Sequence, residues 1–162
     1  MYATNNVKPE DAKSNMLTQT LTKLFVRDLS KLQEEINLYT TESQMWQVTH
    51  GISNSAGNLA LHIVGNLNHF IGATLGNTGY IRQRDLEFSS KNVPKNTIIN
   101  QIEDTKTMLE QVLPTLTEAD LQQEYKRRPF EDYMTTEYFL VHLSMHLAYH
   151  LGQINYHRRL IP

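Results

Sequence analysis

Seven histidines stand at positions 50, 62, 69, 142, 146, 150 and 157 of this 162-residue chain, four of them crowded near its end. Imidazole binds divalent metals and moves protons near neutral pH, so such crowding points to chemistry. On a helix advancing about 100° per residue, His142, His146, His150, Gln153 and His157 share an arc of about 80° with Phe139. Leu143, Leu147 and Ile154 border that arc, so the imidazoles meet the edge of an apolar face. Burying them there is costly unless their nitrogens are satisfied. A metal would satisfy them, as would hydrogen bonds between core histidines or contact with water. His146 and His150, four residues apart, lie about 6 Å apart along the axis, and both can reach one ion at about 2.0–2.1 Å.

Such a site needs a third protein ligand. Asn58, His62, Asn66 and His69 fall on one arc of an earlier helix, with Leu59, Ile63, Leu67, Phe70 and Ile71 on its other side. That arc is either an ordinary solvated face or the wall of an open cleft. His62, at its centre, is the expected third ligand and His69 a rim residue. His50 lies in a connection with no partner at ligand spacing. Arg82, Arg84, Asp85 and Glu87 form a charge-rich loop that is either solvated or reaches over the cleft.

Other chemistries are excluded residue by residue. The chain has no cysteine, which removes disulfides, Cys-based zinc sites, iron–sulfur clusters and any cysteine nucleophile. The His146/His150 pair lacks the glutamate of His-Glu-x-x-His proteases. No Gly-x-Ser-x-Gly elbow, Walker loop or paired Glu-x-x-His motif occurs. A formal net charge of -2 gives no footprint for nucleic acid or an anionic membrane. Arg127-Arg128 and Arg158-Arg159 read as helix-end charges.

The elements that must hold these residues are all helical by periodicity. Helices are expected at about 14–39, capped by Asp11 or Ser14, and at about 56–75, 96–113 and 135–160. Polar residues 40–55 and the long stretch 80–95 read as connections, and Thr117-x-x-Asp120 as the start of a short turn. Pro114, the Lys126-Arg-Arg-Pro129 segment and Pro162 mark breaks. The expected fold is all-α: a four-helix bundle, one domain over residues 1–162, with a long connection between helices two and three. No leader-like apolar segment opens the chain, so a cytoplasmic location is expected.

Leu61-His-Ile-Val-Gly-Asn-Leu-Asn-His-Phe70, followed by His142-x3-His146-x3-His150-Leu-Gly-Gln-Ile154, resembles the DinB-like superfamily, which includes YfiT-type metal-dependent enzymes. Gly79-Tyr-Ile-Arg-Gln-Arg-Asp-Leu-Glu-Phe88 looks like an uncharacterised branch of it. The resemblance implies up-down-down-up helix order, a homodimer and a metal, zinc or nickel, held by His62, His146 and His150, with His142 outside the ligand set. It also implies a small-molecule substrate, since relatives transfer thiols such as bacillithiol, mycothiol or glutathione, and one branch isomerises maleylpyruvate.

The leading expectation is therefore a metal-dependent enzyme that transfers a low-molecular-weight thiol to an electrophile. Asn66, Tyr149 and Gln153 are expected to touch the ligand histidines or the substrate. The alternatives are a hydrolase using metal-bound hydroxide and a non-enzymatic metal-stabilised bundle. Neither ligand arc carries an Asp or Glu to serve as a hydrolytic base.

Overall fold

The computed structural model describes residues 15–49, 51–126 and 133–161. Asn15 opens the first long helix, α1 (Met16–Asn37). Its side-chain oxygen accepts the Leu17 N–H at 2.7 Å and its amide reaches Glu118. The caps expected at Asp11 or Ser14 lie outside the described residues. Leu21, Phe25, Leu29, Leu32 and Ile36 recur at helical spacing and form the buried face of α1.

The stretch 40–55 is not wholly irregular. It contains a short helix, α2 (Glu42–Met45), started by a reciprocal capping box between Thr41 and Gln44. This turn buries Met45 and Trp46, two apolar side chains a polar loop would leave in water. The Trp46 ring rests on the next long helix so closely that a Cβ at Gly57 would stand 2.7 Å from it.

That helix, α3 (Ala56–Leu67), is capped by Ser55 and ends as an α-helix sooner than its periodicity suggests. It continues as a π-helical turn over Asn68–Ala73, where the Thr74 N–H bonds the His69 carbonyl five residues back. The Asn68 amide donates to the Val64 carbonyl and to Thr105 Oγ1 where the pitch changes. Every residue of α3 except Leu61 is buried, Asn58 and His62 included. The polar arc of this helix therefore neither meets water nor forms an open wall.

What covers that arc is the stretch 80–95, expected as a plain connection. It folds into α4 (Arg84–Ser89) and packs along α3. Asn58 pegs it down, donating to the Glu87 carbonyl at 3.0 Å and to the Ser90 carbonyl at 2.8 Å. The remaining elements are α5 (Lys95–Val112), a 3-10 turn at Leu113–Thr115 containing Pro114, α6 (Glu118–Gln122) and α7 (Thr136–Leu160). Thr117 and Asp120 form the capping box of α6, and Thr135 caps α7. Arg127, Arg128, Pro129 and Pro162 lie outside the described residues.

The chain is all-α: among the described residues, pairing outside helices is limited to an isolated bridge between Glu124 and Thr135. Both α1 and α3 pack against α5 and α7. α3 runs antiparallel to α7, with Phe70 meeting Phe139 at one level and His62 meeting His146 and His150 further along. No described helix is long and apolar enough to cross a membrane.

His157 belongs to this framework. Its Nε2–H donates to the Gln47 carbonyl at 2.9 Å, and its Nδ1 accepts the Tyr39 hydroxyl at 2.6 Å. The buried imidazole thus ties the end of α7 to the connection after α1, beside the Arg158–Glu35 ion pair at 2.6 Å. His157→Ala should strand the Gln47 carbonyl and leave the Tyr39 hydroxyl only its long 3.5 Å bond to the Ile154 carbonyl, costing about 2–3 kcal/mol. Urea unfolding followed by Trp46 emission measures this, and metal content should be unchanged.

Candidate metal centre

The antiparallel register of α3 and α7 brings His62 level with the His146/His150 turn. Among the described residues, these three histidines form the one group of potential metal-binding side chains, with one ligand atom from each lying within 4.8 Å of the others. The atoms that converge are the Nε2 nitrogens. His146 Nε2 lies 3.3 Å from His62 Nε2 and 3.1 Å from His150 Nε2. Two donors bound at about 2.05 Å to a tetrahedral ion stand about 3.3 Å apart, so the spacing suits a metal. Two bare imidazole lone pairs at that distance repel each other unless a proton or a cation lies between them.

The outer nitrogens of two of the rings are tied down. His62 Nδ1 donates to Glu87 Oε2 at 2.9 Å, and Arg82 clamps that same carboxylate with Nε on Oε1 at 2.7 Å and Nη2 on Oε2 at 2.8 Å. His150 Nδ1 donates to Gln153 Oε1 at 2.6 Å. Each bond fixes the tautomer and leaves Nε2 as the free donor, the arrangement by which outer hydrogen bonds orient metal ligands.

Burial disfavours protonation of the two imidazoles on α7. Burial, then the neighbouring His150 and His62, pushes His146 down to about 4. Burial also lowers His150, partly offset by its Gln153 bond. Burial alone would raise the Glu87 carboxyl, but hydrogen bonds from Arg82 and His62 outweigh it and hold the group below its usual range. The donor set is therefore three imidazoles, one of them backed by a buried ion pair, and it could hold a divalent ion.

The other expected residues divide. Gln153 holds His150. Asn66 is buried one turn beyond His62, its Oδ1 without a hydrogen-bond partner. Tyr149 is 64% exposed, its ring centroid 5.3 Å from that of His150. His142 stacks in a column between Phe139 and His146, and His69 sits in the π turn against Phe70. Neither joins the cluster. His50 lies outside the described residues. His157 shares the angular face of His146 and His150 but sits about 10 Å further along the axis than His150, where it meets Tyr39 instead of α3.

Glu87 is the residue that sequence reasoning left undecided. It appeared only as part of a charge-rich loop, whereas the structure buries its carboxylate against His62. Of its loop companions, Arg82 joins it, while Arg84 lies over the Phe88 ring, which itself packs 4.9 Å from His62. The signal available in the sequence was Gly65, three residues after His62. Glycine inside a helix costs about 1 kcal/mol relative to alanine and implies a close approach. Here a Cβ at Gly65 would overlap the Glu87 carboxylate.

Glu87→Gln and Gly65→Ala should each weaken zinc binding about 10- to 100-fold, as measured by competition with a chelating dye. Glu87→Gln also strands the buried Arg82 charge. Glu87→Gln/Arg82→Met should therefore recover thermal stability while zinc affinity stays low. Stability of the metal-free protein should fall with pH between about 6.5 and 4. In that window the unfolded chain protonates His146 while the folded chain resists, and stability rises with pH wherever the unfolded state binds more protons. Thermal melts across this range check it, and His146→Leu should flatten the slope.

Comparison with known families fits this architecture. Residues 21–154 match the family model described as the DinB superfamily, a span covering most of the chain and all three clustered histidines. No curated protein matches it. On the strength of that match, this chain belongs to the DinB superfamily.

Proposed function

We propose that this protein is a divalent-metal-dependent enzyme that transfers a low-molecular-weight thiol to an electrophile, with His62, His146 and His150 as ligands to zinc or nickel. The observation supporting it most directly is the convergence of three Nε2 donors, one of them backed by a clamped carboxylate. When bound, such an ion supplies the Lewis acidity that makes a thiol or water nucleophilic near neutral pH. The chain has no cysteine, so a sulfur nucleophile has to arrive with a small molecule.

The residues around the cluster favour thiol transfer over hydrolysis. A hydrolase wants a free carboxylate as general base. Glu87, the carboxylate on His62, has both oxygens committed to Arg82 and His62. A thiol starts from a pKa of about 8.5 against about 15.7 for water, so once a cation lowers it further its proton can pass to solvent without such a base. In this reading Gln153 fixes the His150 ring, and Asn66 and Tyr149 touch the substrate from the two sides of the cluster.

The test begins with metal analysis of untagged protein. Wild type and His69→Ala should carry about one ion per chain, and His62→Ala, His146→Ala and His150→Ala should lose it. The loaded protein is then assayed for conjugation of 1-chloro-2,4-dinitrobenzene by glutathione, bacillithiol and cysteine. Turnover that disappears with the metal supports the reading. Full metal with no turnover leaves a metal-stabilised binding bundle, and no metal in wild type overturns the reading altogether.

A further inference from the structure

A second feature adjoins the cluster. A cavity of about 380 Å³ opens between residues 51–54, the start of α3 and the last turns of α7. Leu59 in its wall is three residues before His62, and Gln153 is three residues after His150, so the cavity begins one helical turn from two of the clustered histidines. Its volume is in the range of small-molecule sites.

We propose that this cavity binds an uncharged, largely apolar molecule and holds a carbonyl-type oxygen of that molecule on the side-chain amide of Gln153. The inference rests on the functional reading above and specifies the molecule held beside the cluster as neutral and carbonyl-bearing.

Three observations carry it. The first is charge: none of the described residues lining the cavity is Asp, Glu, Lys or Arg. His157 also borders it, but both of its nitrogens are engaged by Tyr39 and Gln47. A charged ligand would give up hydration there without gaining a partner. The second is shape and polarity, because Ile52, Leu59, Tyr156 and Leu160 supply apolar wall. The third is the sense of the hydrogen bond on offer. Gln153 Oε1 already accepts the His150 Nδ1–H at 2.6 Å, so the side-chain amide keeps both N–H donors but only one oxygen lone pair to offer. A carbonyl oxygen satisfies them, whereas a group that can only donate does not.

The test uses the metal-loaded full chain with labelled methyl groups and four probes of similar size: acetophenone, ethylbenzene, benzoate and benzylammonium. Acetophenone should shift the methyl resonances of Ile52, Leu59 and Leu160 and bind about tenfold more tightly than ethylbenzene, the gain expected of one hydrogen bond. The two ions should bind more weakly than acetophenone. Gln153→Glu keeps an acceptor for His150 but removes the donor, and should erase the preference for acetophenone over ethylbenzene. Ser53→Trp should fill the cavity and abolish binding of both. Equal affinity for acetophenone and ethylbenzene, a preference that survives Gln153→Glu, benzoate binding as well as acetophenone, or no shift at these methyls would each overturn the proposal. Metal content and thiol turnover, measured on the same sample, report on the functional reading separately.

Discussion

The structure around the histidines depends on one buried carboxylate. Glu87 is 6% exposed, and an ionised group cannot stay there without compensation. Arg82 provides it with two hydrogen bonds and His62 with a third. Each consequence follows from bringing that group inside. The stretch 80–95 has to lie along α3, so part of it becomes α4. Position 65 has to be glycine, because a side chain there would occupy the space of the carboxylate. Asn58 is withdrawn from solvent to secure the backbone at Glu87 and Ser90.

The same pair sets the electrical character of the cluster. Arg82 and Glu87 offset much of each other's charge, and the Arg82 charge still works against protonation at His146. Burial and the mutual proximity of the rings then disfavour protonation at His146. Three imidazole donors carry no negative charge of their own, so they would leave the charge of a bound divalent cation undiminished.

Angular position on a helix and height along it have separate consequences here. His146, His150 and His157 occupy one angular sector of α7, yet only the first two stand level with His62. His157, two turns beyond His150, meets Tyr39 and the chain around Gln47, and there it holds α7 to the segment following α1. One sector of one helix thus carries a candidate metal centre at one height and a structural hydrogen-bond node at another. At its lower end the centre borders the Phe139–His142 stack, and at its upper end the cavity that Gln153 lines.

The sequence by itself determined the all-α class, the faces of the long helices, the capping box at Thr117 and Asp120, and the three histidines the structure gathers. Those features depend on local periodicity and spacing, which a chain carries without reference to its distant parts. It did not determine that the polar arc of α3 would be covered, that the pitch would change to π at Asn68, or that residues 84–89 would be helical. Nor did it determine which of the charges at Arg82, Arg84, Asp85 and Glu87 would be buried. Those outcomes were decided by tertiary structure, because each depends on a partner 20 or more residues away: Glu87 on His62 and Gly65, Asn68 on Thr105, and His157 on Tyr39. A polar side chain scores as solvated until the group that desolvates and satisfies it arrives, and only the folded chain brings that group.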